Sequence, residues 1–151
     1  MQNIYGIGRI MKRKPEVTYQ YHHIGVPTTA PRAGEYYSST FKMYTSGSEE
    51  LHGFHIQYHR FEQGDCLHNL IQTVPHIAFK VNDLDAAIKG EELLLEHYCQ
   101  FDGFRVAMIE DNGVPIEFIE TDLSEEDIWG KPKASSVIYP EAKVPNSPEG
   151  H

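Results

Sequence analysis

His76-Ile77-Ala78-Phe79-Lys80-Val81 runs straight into Asn82-Asp83-Leu84-Asp85-Ala86-Ala87. The first six residues are nearly continuous in apolar character, as in a strand covered on both faces. Asn82 or Asp83 then offers a helix cap, and a short helix is expected over Leu84–Lys89, stopped by Gly90. The opening phrase has an earlier echo in His23-Ile24-Gly25-Val26. Each copy sets one His ahead of a small or apolar run, and each is followed by a turn. A third apolar strand, Gly113-Val114-Pro115-Ile116-Glu117-Phe118-Ile119-Glu120, carries an acid. A repeated strand with its sequel points to two like units in one fold.

Working outward, Tyr19–Val26 reads as a strand ended by Pro27 and Pro31. Pro31 suits a first helical turn, so a helix is expected over Arg32–Phe41. A short strand over Lys42–Thr45, the turn Ser46-Gly47-Ser48 and a longer strand over Phe54–Phe61 follow. Cys66–Thr73 connects the halves, with Val74–Val81 as the next strand. Beyond the second helix, strands are expected over Glu92–Glu96, Phe104–Glu110 and Val114–Glu120, the last two joined by the hairpin signal Asp111-Asn112-Gly113. Residues 1–18 are a lead-in with one short strand around Ile4–Ile10. Residues 19–121 form one domain, divided at 73/74. Leu123–Trp129 reads as a turn or two of helix, and 122–151 is a Pro-rich tail whose apolar anchors are Trp129, Val137, Ile138 and Tyr139.

The bulk numbers bound the function. The chain has 151 residues, 40% of them hydrophobic, enough for one domain with a real core. A net charge of −9 argues against nucleic acid or an anionic membrane as partner. No run is apolar enough to span a membrane. The basic cluster Arg9, Lys12, Arg13 and Lys14 is followed by no apolar stretch, so it is no secretory signal, and the simplest location is the cytoplasm. Cys66 and Cys99 lack CxxC spacing and read as reduced thiols. Gly6-Ile7-Gly8 lacks the third glycine of a phosphate loop, and no Gly-x-Ser-x-Gly elbow occurs.

Strand alternation sorts the candidate site residues. If His23 faces a cavity, so do Tyr21 and Gly25, while His22, Ile24 and Val26 turn away. If His76 faces it, so do Ala78 and Lys80, while Ile77, Phe79 and Val81 pack beneath a helix. Glu117 and Ile119 share a face; Ile116 and Phe118 take the other, as does Glu120. Two imidazoles and a carboxylate suit a divalent first-row ion with open positions. Lys80, Arg60 and Arg105 read as solvated cations, with contact to an anionic group in the cavity as the alternative.

This organisation resembles the vicinal oxygen chelate superfamily, which includes glyoxalase I, bleomycin- and fosfomycin-resistance proteins and extradiol dioxygenases. The resemblance rests on His23-Ile24-Gly25-Val26, on His76–Val81 with Asp83–Ala87, and on Gly113–Glu117, and it covers Tyr21–Glu120. It implies an α+β fold of two βαβββ modules, 19–73 and 74–121, whose mixed sheets curl around a shared cavity. It implies His23, His76 and Glu117 as metal ligands, with Ni, Zn, Mn or Fe as the ion. The fourth ligand belongs on the Phe54–Phe61 strand, where Gln57 is the nearest match and His55, His59 and Glu62 are alternatives.

The expected activity is a glyoxalase-like lyase or isomerase acting on a small oxygenated substrate, with Glu117 moving the proton. A non-catalytic binding protein of the bleomycin-resistance type would use the same cavity and aromatic residues such as Tyr21, Tyr36, Tyr37 and Tyr58, and needs no ion. An Fe(II) extradiol-type dioxygenase would use the same His-His-Glu set, usually on a longer chain. The resemblance is compatible with a homodimer, which nothing in the sequence decides.

Overall fold

Alternation along each strand decides which side chains this chain can bring together, and pairing between strands decides which of them meet. The protein is seen here as a computed structural model that describes residues 13–47 and 53–129. The strands are β1 (Tyr19–Pro27), β2 (Tyr36–Ser38), β3 (Met43–Ser46), β4 (Ile56–Phe61), β5 (His76–Val81), β6 (Leu93–Phe101), β7 (Phe104–Asp111) and β8 (Val114–Thr121). The helices among these residues are short: α1 (Asn69–Thr73), α2 (Leu84–Ile88) and α3 (Glu125–Trp129). The strand expected around Ile4–Ile10 and the tail from 130 onward lie outside the described residues. No helix among the described residues is long and apolar enough to cross a membrane.

All eight strands join one mixed sheet in the order β2-β3-β4-β1-β5-β8-β7-β6, curled into a half-barrel, and the architecture is α+β. Its centre holds two parallel pairs, β4 with β1 and β5 with β8, joined by the antiparallel contact of β1 with β5. Antiparallel strands extend the sheet on either side. The curl brings the two ends of the sheet together. Phe41, in the turn between β2 and β3, meets Tyr98 of β6 edge-on with ring centroids 5.1 Å apart.

The sheet has an apolar layer on each side. On the convex face Val81, Ala107, Ile109 and Phe118 pack with Val17 and with Leu84 and Ala87 of α2. On the concave face Ala78, Phe104, Val106 and Ile119 form a second cluster. The Asp83 side chain accepts the Ala86 N–H at 3.0 Å and caps α2, as the sequence led one to expect. Glu120 accepts the Leu84 N–H at 3.1 Å and one Arg105 N–H at 2.7 Å, while Arg105 reaches Asp85 at 3.0 Å. Arg105 and Glu120 therefore tie the helix to the sheet. The β7–β8 hairpin turns on Asn112 and Gly113, both at positive φ (52° and 84°), as a tight two-residue turn between right-twisted strands requires.

Several expectations need correction. The helix over Arg32–Phe41 does not form; turns and β2 take its place. Gly34 adopts φ 75°, and the following residues are drawn onto the sheet edge. Tyr36 pairs with Thr45 of β3, and the Glu35 carboxylate, 2% exposed, accepts two hydrogen bonds from Arg60 at 2.9 and 2.7 Å. That pair, with Glu35 buried and Arg60 partly exposed, holds the segment against the sheet. The strand expected over Glu92–Glu96 is β6, which runs on to Phe101, and the connection Cys66–Thr73 contains α1. Tyr21 does not share the face of His23, because β1 is irregular between them.

Arg60 also lies over the Tyr44 ring, 3.9 Å from its centroid. Arg60→Ala strands a buried carboxylate and is expected to cost about 2–4 kcal/mol, somewhat below the 3–5 kcal/mol of a fully buried pair because Arg60 is partly exposed. Glu35→Gln is expected to cost less, since it leaves the cation in reach of water. Urea unfolding of the two variants checks both the size and the order.

Candidate metal centre

Parallel pairing sets Ala78 of β5 beside Glu117 of β8, so Glu117 takes the same face as Ala78 and His76. On the other side of β5, His23 pairs with Ala78 and Gly25 with His76. Three strands thus deliver two imidazoles and a carboxylate to one point on the concave face. His23 Nε2 lies 3.1 Å from Glu117 Oε1, His76 Nε2 lies 3.0 Å from the same oxygen, and the two Nε2 atoms are 3.3 Å apart. All three side chains are buried, at 4%, 7% and 6% exposure for His23, His76 and Glu117. They form the group of potential ligands converging within ion-binding reach among the described residues. Donors about 2.1 Å from a common ion are separated by about 3.0 Å at right angles and about 3.4 Å at the tetrahedral angle. The observed spacings fall in that range, so the residues fit a divalent ion.

Electrostatics agree with the spacing. Burial pushes the Glu117 carboxyl up, but the charge and hydrogen bonds of His23, together with those of His76, outweigh it and hold the group well below the usual carboxylate range. Burial holds His23 below the ordinary imidazole value despite the pull of Glu117. An ionised carboxylate among these buried side chains is a negative charge held away from water, which a cation would complement.

Gly25 is required where it stands. A Cβ there would lie 2.0 Å from His76 Cε1 and 2.5 Å from Nε2, so only glycine leaves room for the ring. Gln57, expected as the fourth ligand, is the register partner of Gly25, as Glu117 is of Ala78. Gly25 and Ala78 each stand two residues after the His of their phrase. Gln57 therefore holds on β4 the place that Glu117 holds on β8, and it is buried at 6%.

His59, an alternative for that position, is one inward step further along β4. It is 4% exposed, stacks on His76 at 5.4 Å, and its Nδ1 lies 3.0 Å from Thr45 Oγ1. Burial keeps it well below the ordinary imidazole value. Glu62 is exposed and accepts the Tyr37 hydroxyl of β2. His55 turns to the backbone of β1, with Nδ1 3.2 Å from the His22 carbonyl.

Sequence reasoning missed two features. His22 was assigned to the opposite face, yet it is buried at 4% with Nδ1 2.8 Å from His23 Nδ1. Burial, and then His23, lower it to about 3. Strict alternation hides such a residue; only the irregularity in β1 reveals it. Tyr98 reaches the concave face from the far edge of the sheet, and burial, reinforced by Glu117, holds its hydroxyl well above the ordinary value, so it keeps its proton. No local signal marks a residue brought in by curl.

Compared with known proteins, the sequence matches no family model and no curated protein.

Two outcomes follow. Gly25→Ala is expected to displace His76 and to weaken divalent-ion binding at least about tenfold, as loss of an oriented ligand does, which isothermal titration would measure. The second concerns pH. His22, His23 and His59 titrate lower in the folded chain than in the unfolded one, so below about 6.5 the unfolded state binds more protons. Ion-free stability should therefore fall as pH drops from 6.5 towards 5, by up to about 1.4 kcal/mol per pH unit for each imidazole kept neutral. Urea midpoints across that window check the sign.

Proposed function

We propose that this chain is a glyoxalase I-like, metal-dependent lyase or isomerase that moves a proton on a small oxygenated substrate. In this reading it is built from two modules of the vicinal oxygen chelate type, residues 19–73 and 74–121. The observation that carries the proposal is the buried convergence of His23, His76 and Glu117 on one point of the concave face. The matching registers of Gly25 with Gln57 and Ala78 with Glu117 support the two-module reading.

His23, His76 and Glu117 would hold the ion, with Gln57 as the fourth donor. A bound divalent ion supplies polarisation of substrate oxygen atoms. The remaining work belongs to the chain's own residues. Glu117, ionised and screened from bulk water, accepts a proton from a hydroxyl-bearing carbon next to a carbonyl and returns it to the former carbonyl carbon, while the hydroxyl proton passes to the former carbonyl oxygen, so that hydroxyl and carbonyl exchange places. The proton is conserved, and no outside oxidant or reductant is needed. His23 and His76, each within hydrogen-bond distance of Glu117 Oε1, orient that carboxylate. Ala78, Phe104, Val106 and Ile119 give the concave face an apolar layer that limits water.

Metal analysis of untagged protein, followed by turnover assays on hemithioacetals, diketones and catechols, tests the reading. About one Ni, Zn, Mn or Fe ion per chain is expected by this account, lost in His76→Ala and Glu117→Ala with the circular dichroism unchanged. Glu117→Gln should lower turnover at least about a hundredfold, the usual contribution of a positioned base. Oxygen consumption with catechols would indicate a dioxygenase instead. Failure to take up any of these ions, even anaerobically, would leave a binding protein on this fold.

A further inference from the structure

The irregularity in β1 has a specific chemical result. Tyr21 pairs with Phe79 and His23 with Ala78, so the register shifts at His22, where β1 has one residue more than β5. An extra residue of this kind re-aims the side chains around it. Here it brings two consecutive imidazoles into contact, with Nδ1 to Nδ1 at 2.8 Å and ring centroids 5.1 Å apart. The segment is held from β4. The His55 carbonyl accepts the Ile24 N–H at 3.1 Å, and His55 Nδ1–H donates to the His22 carbonyl at 3.2 Å. Phe104 lies edge-on to the His22 ring, at 5.9 Å between centroids.

We infer that His22 is a positioning residue for the metal centre, fixing the ring of His23 through the Nδ1–Nδ1 hydrogen bond so that Nε2 faces the ion. The inference rests on the ion-binding reading of the site. Two Nδ1 atoms at this distance share one proton, and its owner follows from what His23 does with Nε2. Without an ion, His23 Nε2–H donates to Glu117, so its Nδ1 is an acceptor and the shared proton sits on His22. Once His23 gives its Nε2 lone pair to an ion, a neutral ring carries its proton on Nδ1, and His22 becomes the acceptor. An imidazole serves in both states because its tautomer can change. A hydroxyl or an amide at this place would also serve; an apolar side chain would not.

The test compares the full-length chain with His22→Leu and His22→Asn. Leu keeps bulk without a polar atom, whereas the Asn amide presents an oxygen or a nitrogen close to where Nδ1 stood. Zinc(II) affinity is measured by competition with a chromophoric chelator, and ring-nitrogen protonation by ¹⁵N NMR with and without zinc. Removing a ligand's orienting partner weakens binding about 10- to 100-fold, so His22→Leu should lose that much and His22→Asn should stay within about threefold of the parent. In the parent, His22 should carry Nδ1–H without zinc and His23 should carry it with zinc. Equal weakening in both variants, or none in His22→Leu, would overturn the inference. If the parent takes up no zinc, the ion reading fails. The zinc-free spectrum then still decides the pair: a proton on His22 Nδ1 upholds it, and Nε2–H on both rings overturns it. Should His22→Leu not fold, the parent spectra and His22→Asn carry the decision.

Discussion

A carboxylate buried in the middle of a sheet is the constraint on which the rest of this structure depends. Removing an ionised carboxyl from water is costly unless its charge and lone pairs are met. Glu117 meets that requirement with His23 and His76 at 3.1 and 3.0 Å. Each partner is in place for a separate reason. Parallel pairing puts Glu117 beside Ala78, glycine at position 25 gives the His76 ring its space, and the irregularity at His22 turns His23 inward. If any of these changes, the carboxylate is left buried beside incomplete partners.

The surrounding fold serves the same point. The two parallel pairs lie at the centre of the sheet, where neither borders a free edge. The convex layer is apolar and locked to α2 by Arg105, Asp85 and Glu120, which keeps β5 and β8 in register. The concave side is mixed: imidazoles and a carboxylate next to Ala78, Phe104, Val106 and Ile119. The meeting of Phe41 with Tyr98 draws the sheet ends over that side. A polar cluster within an apolar, curved surface is the ordinary form of a site for a small ligand.

Much of this was legible in the residues. Near-continuous apolar runs marked β5 and β8, and the inward face of β5 followed from counting in twos from His76. Asp83 announced α2, and Asn112-Gly113 announced the hairpin. What the sequence concealed was long-range. The pull of Arg60 on Glu35 turned an acceptable helical segment into a sheet edge, and the two are 25 residues apart. The slip in β1 broke the alternation that misplaced Tyr21 and His22. Curl brought Tyr98 across from the far edge. Gln57 could be named from the sequence as the nearest match for a fourth ligand, but only the strand register, which sets it opposite Gly25, makes it the counterpart of Glu117.

The central claim is that His23, His76 and Glu117 bind one divalent ion, and X-ray absorption at the zinc edge of the zinc-loaded chain tests it most directly. The account predicts an oxygen and nitrogen shell with the outer-shell scattering of two imidazoles and no sulfur, and loss of that pattern in His23→Ala and His76→Ala. Sulfur ligation, or an imidazole count unchanged by either substitution, would contradict it.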